Sequence, residues 1–352
     1  MLKTRSPSTE LPSAATETRA QPGSICVQAV ARPRIALLSN PKSTGNIAQL
    51  PHIRAFCAHH PDIFHYEVEK ADQIGAALRT IARVRPKMLV INGGDGTVQA
   101  ALTELHNGEH FGDDPPPVAV LPSGKTNLIA LDLGAHGDPI AALKRFLTLA
   151  QTDLSPHLVA RELIALRCGP GEQRPVIGMF LGGAGLADTM LYCRHKIYPL
   201  GLPNGISHVL TAIAVLMRIF LRLKGSFLPP GPSMLQVSSA SQRLSGRFSL
   251  LAVTTLEKLL LSGEVRSAGK GALKLIAIDE RPASVLRAFI ASLGGRLGRS
   301  DVNGVHFHET DEISIEGDRS DVILDGETFR AEIGRPIVLR SAHPLSFVRL
   351  AA

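Results

Sequence analysis

MLVINGGDGTVQ runs from Met88 to Gln99. Its first half, MLVIN, is a short apolar run, as expected of a parallel strand covered on both faces. It passes directly into glycines at 93, 94 and 96, and VQAALTEL beyond them has helical periodicity. Glycines remove Cβ atoms where a backbone must approach an anion closely. A helix starting near Thr97 would add its positive N-terminal end. Asp95 cannot itself grip a phosphate, because like charges repel. Its chemical use at this place is to hold a Mg²⁺ that bridges phosphates, or to orient the loop. Thr97 can cap the helix and donate to phosphate. The competing reading is a plain strand–helix turn.

The same alternation spreads on both sides. RIALLSN reads as a strand ending in the polar turn NPKSTGN, followed by a helical pattern from Ile47 to about His60. IFHYEV reads as a strand, residues 71–84 as a helix, and PVAVLP as a strand before SGKTN and a helix through Leu131. Another helix covers Ile140 to Ala150. Strands alternating with helices predict a doubly wound, mostly parallel α/β sheet, which binds ligands at the carboxyl ends of its strands. NPKSTGN, GGDGT and PSGKTN all fall at such ends.

From about Ala160 the pattern changes. ELIALRC, PVIGMFLGG, MLQVSS, RFSLLAVTTL, LKLIAID, VHFHETDEISIEG and VILDGE read as strands, with helical periods only at 205–223 and 282–293. This predicts a mostly antiparallel β-sandwich second domain. The expected organisation is a disordered tail at 1–33, a nucleotide-binding α/β domain at 34–159 and a β-sandwich lipid-substrate domain at 160–336, with 337–352 packing back on the first domain.

LPSGKTN, Leu121 to Asn127, carries the last letters of a P-loop. The second glycine such a loop needs would stand at Ala119, inside an apolar run, so the match is partial. In VHFH, alternation puts His306 and His308 on one strand face. No third ligand is near in sequence, and a solvated polar face is the better reading.

Of the 352 residues, 44% are hydrophobic and 20% charged, a globular composition. No tryptophan and few other aromatics argue against base-stacking nucleic-acid modules. The net charge of +7 suits nucleic acid, an anionic membrane surface or a phosphate-bearing substrate, but the basic residues are spread along the chain with no dense run, and a solvated basic surface is an equally good reading. Cys26, Cys57, Cys168 and Cys193 are far apart and read as free thiols of a cytoplasmic protein. The segment Ile206 to Leu223 is apolar but interrupted by His208, Arg218 and Arg222, and its clean core is too short for a bilayer of ~30 Å. It reads as a core helix, with peripheral membrane contact as the alternative.

SNPKSTGN, INGGDGT, LPSGKTN and VILDGE, in that order, resemble the diacylglycerol kinase catalytic-domain family, which includes bacterial lipid kinases and sphingosine kinases. The family pattern is NPxSG, GGDGT, LPxGTxNDxA and, far downstream, DGE. The resemblance implies an α/β nucleotide-binding domain, a β-sandwich domain and an active site between them. It implies ATP and Mg²⁺ as cofactors, a membrane lipid as substrate, and transient docking on an anionic membrane from the cytoplasm. It places Asn40, Pro41 and Lys42 in the first nucleotide loop. It assigns Asn92, Gly93, Gly94, Asp95, Gly96 and Thr97 to the ATP phosphates, with Asp95 toward the metal. It puts Ser123, Gly124, Lys125 and Asn127 in the next loop. Asp325 matches the general base, with Gly326 and Glu327 completing DGE. A carboxylate there can take the proton an alcohol loses as it attacks the γ-phosphorus, although Asp-Gly is also a strong turn dipeptide.

Two departures qualify this. Lys125 and Leu128 replace the family's threonine and aspartate; the lysine can pair with a phosphate or face solvent. The Asp-Gly expected for a structural Mg²⁺ is Lys270-Gly271, with only Glu257 and Glu264 near, so that second metal site is not expected. Two other functions remain open: an NAD kinase-like enzyme, and a non-catalytic nucleotide- or lipid-binding regulator on a degenerate kinase scaffold.

Overall fold

The computed structural model describes residues 34–112, 114–169, 174–197, 231–240, 242–259, 262–264, 271–293, 302–318 and 320–350. The expected tail at 1–33 and apolar helix at 206–223 lie outside the described residues.

The first part alternates strand and helix as the sequence predicts. Strands β1 (Ile35–Ser39), β2 (Ile63–Glu67), β3 (Met88–Asn92) and β4 (Val118–Val120) are parallel, in the order β2–β1–β3–β4. Helices α1 (Asn46–Ala58), α2 (Ile74–Val84), α3 (Asp95–Asn107), α4 (Leu128–Asp132) and α5 (Pro139–Ala150) alternate with them. β1 and β3 are buried at every position. Their unbroken apolar runs follow from helix cover on both faces, where α1 meets α5 and α2 meets α3. Ile74, Ala77, Leu78 and Ile81 form the buried stripe of α2, at the spacing one helix face requires. Asp138 caps α5 by accepting from the N–H groups of Ile140 and Ala141, and Pro139 fits the first turn, where its missing N–H costs nothing.

The second part is antiparallel. Its elements are β5 (Leu158–Cys168), β6 (Val176–Gly178), β7 (Phe180–Gly183), α6 (Gly185–Tyr192), β8 (Met234–Ser239), β9 (Arg243–Thr254), β10 (Lys258–Leu259), β11 (Ser262–Glu264), β12 (Leu273–Asp279), α7 (Pro282–Leu293), β13 (Val305–Thr310), β14 (Glu312–Gly317), β15 (Ser320–Leu324), β16 (Glu327–Ala331) and β17 (Ile337–Val348). β9 turns the corner between two sheets. Arg243–Arg247 pair with β8, and from Phe248 onward the strand pairs with β12, then also with β7. Alternate residues from both sheets, among them Leu181, Val237, Leu251, Val253, Leu275, Ile313, Val322, Leu324 and Leu339, bury one shared core. β17 is paired along its length with β5 and reaches the parallel sheet at its end, where Phe347 stands opposite Val118.

Three local expectations are corrected. PVIGMFLGG is two strands: β6 pairs with β5, whereas β7 pairs with β9 and β15. The ladder breaks at Met179 because its N–H goes to the Asp325 carboxylate, 2.7 Å away. VHFHETDEISIEG also splits, with β13 on β12 and β14 between β8 and β17. Helix α6 was not expected at all. Its buried residues, Gly185 and Ala187, are too small to leave an apolar period in the sequence.

Candidate functional site

At the carboxyl ends of β1, β3 and β4, three loops interlock. The order β2–β1–β3–β4 makes the β1/β3 boundary a switch point, where the following loops diverge and leave a crevice. Asn40, just after β1, donates its N–H to the Asn92 carbonyl (2.9 Å) and its side-chain amide to the Thr97 hydroxyl (2.9 Å). Asn46 donates to the Asn40 and Asn92 carbonyls (2.8 and 3.0 Å). Ser43 donates to the Ser123 carbonyl (2.8 Å), tying the first loop to the third. A Cβ at Gly124 would lie 2.9 Å from the Cα of Gly94, so only glycine lets these two backbones meet. Asn127, at φ +54°, closes the third loop by accepting from Gly124 N–H (2.6 Å) and donating to its carbonyl (3.0 Å).

Helix α3 begins at Asp95, with Gly94 as its N-cap. The expected capping by Thr97 is not seen. Thr97 sits a turn inside, and its hydroxyl accepts from Asn40. The first N–H groups of α3, at Asp95 and Gly96, have no carbonyl a turn earlier within the helix to receive them and are the natural donors to an anion.

The β15–β16 turn lands on this same helix end. Asp325 adopts φ +43° and Gly326 φ +97°, which swings the turn over Gly96. A Cβ on Gly96 would come 2.8 Å from the Glu327 carboxylate. Gln99, buried on α3, donates to the Leu324 carbonyl (3.1 Å) and locks the two elements together. Arg194, just beyond α6, donates to the Gly326 carbonyl (2.8 Å). Asp325 itself is only 6% exposed. Its two oxygens accept from the N–H groups of Met179 (2.7 Å) and Phe180 (3.0 Å). Burial, reinforced by the nearby Asp95 charge and opposed by those hydrogen bonds, pushes its carboxyl up to about 8. Burial alone pushes Asp95 up to about 6.

Two close carboxylates with raised pKa values, Asp325 buried and Asp95 half-buried, can accept a cation. Among the described residues Asp95 has no ion pair, and no cluster of three or more His, Cys, Asp and Glu exists. Mg²⁺ is commonly held by one or two carboxylates and the substrate's own phosphates, so this donor set fits a metal that arrives with a nucleotide.

The sequence-derived residues therefore divide. Asn40, Asn92, Gly93, Gly94, Asp95, Gly96, Thr97, Ser123, Gly124, Asn127, Asp325, Gly326 and Glu327 meet around the α3 N-terminus and its flanking loops. Lys42 points to Glu69 instead (3.1 Å, both exposed), Pro41 lies half-buried beside it, and Lys125 stands half-buried in the third loop. The sequence reading missed Ser43, Asn46, Gln99 and Arg194. Asn46 closes the motif SNPKSTGN and was within reach. Gln99 and Arg194 had no sequence signal, because their partners are carbonyls of the distant DGE turn.

The region read as lacking a second metal holds side-chain cations. Arg161 on β5 bridges Asp132 of α4 (3.3 Å) and Glu257, and Arg349 also reaches Glu257 (3.3 Å). Buried Lys274 donates to the Leu256 carbonyl (3.2 Å). His306 is hydrogen-bonded to Asp279 (3.1 Å), one carboxylate beside one strand.

Residues 34–155 match the diacylglycerol kinase catalytic domain, which bears out the resemblance carried by the motifs. Among solved structures the chain is similar to a protein assigned as a diacylglycerol kinase from Bacillus anthracis str. Sterne, at 17% identity and TM-score 0.59, over 91% of this chain and 98% of that one. A second structure of a diacylglycerol kinase from that organism matches at 16% identity and TM-score 0.57, covering 91% and 97%. An NAD kinase from Archaeoglobus fulgidus, in complex with ATP, matches at 12% identity and TM-score 0.45, over 90% of this chain and 94% of that one. At these identities the two diacylglycerol kinase structures speak to the fold. No curated protein matches the chain.

Proposed function

We propose that the chain is an ATP-dependent lipid kinase, phosphorylating a hydroxyl of a diacylglycerol-like or sphingoid lipid with Asp325 as general base. One observation carries the reading: the Asp325–Gly326 turn, more than two hundred residues downstream of GGDGT, sits directly on the α3 N-terminus. A strand–helix turn with no catalytic use gives no reason for a buried acid to be held there.

In this account the interlocked loops at Asn40, Gly94 and Gly124 and the first N–H groups of α3 bind and align the phosphates. Asp95 and Asp325 face the same end. Mg²⁺, when bound at Asp95, supplies charge neutralisation of the phosphates. Asp325, oriented by the Met179 and Phe180 N–H groups, receives the proton of the acceptor hydroxyl. Arg194 keeps the turn closed through Gly326. Glu327 lies at the rim beside Gly96, more accessible than Asp325, and is the second candidate for the proton.

The test is transfer of label from γ-labelled ATP to a panel of detergent-dispersed lipids and, in parallel, to NAD. Label in a lipid and none in NAD is the expected result. Label in NAD alone would assign the related acceptor. ATP binding with no transfer to either would leave a binding scaffold and overturn the enzymatic reading.

A further inference from the structure

Helix α7 is packed the wrong way round for a core element. Ser284, Ala288 and Ala291, spaced four and three residues apart, are its buried side. The large apolar side chains point away: Leu286 is 48% exposed, Phe289 53% and Ile290 60%. Small residues let the helix lie close on β12, and the residues that burial would reward most are left in water. Scattered exposed apolar residues need no explanation, but three adjoining on one helix face do.

The charges beside this face favour one occupant. The helix carries no acidic residue, and Arg287 stands exposed on it. Arg281 is exposed at its start. Glu280 N–H donates to the Arg247 carbonyl (2.9 Å), which brings exposed Arg247 and, paired opposite it, 55%-exposed Met234 to the same end. Among the described residues the acids there are Asp279, held by His306, and Glu280. An apolar stripe flanked by arginines, on a chain of net charge +7, fits the surface of an anionic bilayer. A second copy of the same face would bring arginines against arginines.

We propose that Leu286, Phe289 and Ile290 of α7 form a membrane-docking surface, inserting into the headgroup region of an anionic bilayer while Arg247, Arg281 and Arg287 contact its phosphates. Its purpose rests on the lipid-kinase reading above, since such an enzyme must reach an acceptor that resides in a bilayer.

The experiment uses the full chain and vesicles of phosphatidylcholine with and without phosphatidylglycerol. Phe289→Trp gives the protein its only tryptophan, placed on the face itself. The expected result is a blue-shifted, lipid-quenchable emission with anionic vesicles, weakened by salt. The triple variant Leu286→Ser, Phe289→Ser, Ile290→Ser should bind those vesicles at least about tenfold more weakly, with cooperative unfolding retained. Equal flotation of wild type and triple variant, or no emission change, overturns the proposal. So does a wild-type dimer that the triple variant turns into a monomer, because the occupant is then a second copy. Vesicle docking needs no turnover. Docking without phosphoryl transfer supports this surface while defeating the kinase reading. Lost docking with undiminished transfer to detergent-dispersed lipid supports both.

Discussion

Asp325 and Asp95 are two acids that the fold pushes in one direction. Both have folded-state values above the ordinary carboxylate range near 4, so the folded protein holds protons that the unfolded chain releases. The stability tied to them is fully present below that range and is lost as pH rises through about 6 and about 8. Metal-free wild type should therefore unfold at a lower temperature at pH 9 than at pH 5.5, and Asp95→Asn should flatten the decline. Thermal unfolding across that range checks it; an unchanged slope in the variant would remove Asp95 from the account. Activity should run the other way. A base must be deprotonated, so kcat/KM should rise with pH toward a plateau at or below about 8, since positive charge bound beside Asp325 lowers that value. A rate that stays flat from pH 5.5 to pH 9 would remove Asp325 as the base. At this scale the sequence was informative about which residues matter. GGDGT and DGE are local strings, whereas the N–H groups that hold the Asp325 carboxylate come from Met179 and Phe180, which nothing local connects to it.

Among elements, the site depends on how closely loops approach and on one buried amide. Gly124→Ala would press a Cβ against Gly94, where the obstacle is backbone and cannot swing away. Its KM for ATP should rise about tenfold or more, with a smaller change in thermal stability, readable by steady-state kinetics. Gln99→Ala would release the DGE turn from α3 and leave the Leu324 carbonyl without its buried partner. A loss of roughly 1–3 kcal/mol in urea unfolding and a fall in kcat are expected. The alternating strands and helices were legible because apolar runs and glycine turns are local signals. The splits at Met179 and Asp311 were not, because they record a change of sheet partner. Helix α6 was hidden because its buried face is glycine and alanine.

For the whole molecule, Arg161 joins distant parts. Asp132 has a fully buried side chain on α4, and Glu257 follows β9, so one guanidinium links the parallel and antiparallel regions. Arg161→Met should cost about 3 kcal/mol or more, because Asp132 would keep a buried charge without its guanidinium. Equilibrium unfolding measures this, and a neutral result would contradict it. The sequence indicated an α/β part followed by an antiparallel part, but not that β9 turns between two sheets. The division into a nucleotide domain and a lipid domain remains our proposal. What the whole fold achieves is to bring residue 325 onto the helix that starts at residue 95. The most direct test of that junction is the rate of phosphoryl transfer to the best lipid acceptor by wild type and Asp325→Asn, with ATP affinity measured alongside. The account predicts a fall in kcat of at least about a hundredfold with ATP affinity nearly unchanged. Full activity in Asp325→Asn would contradict it.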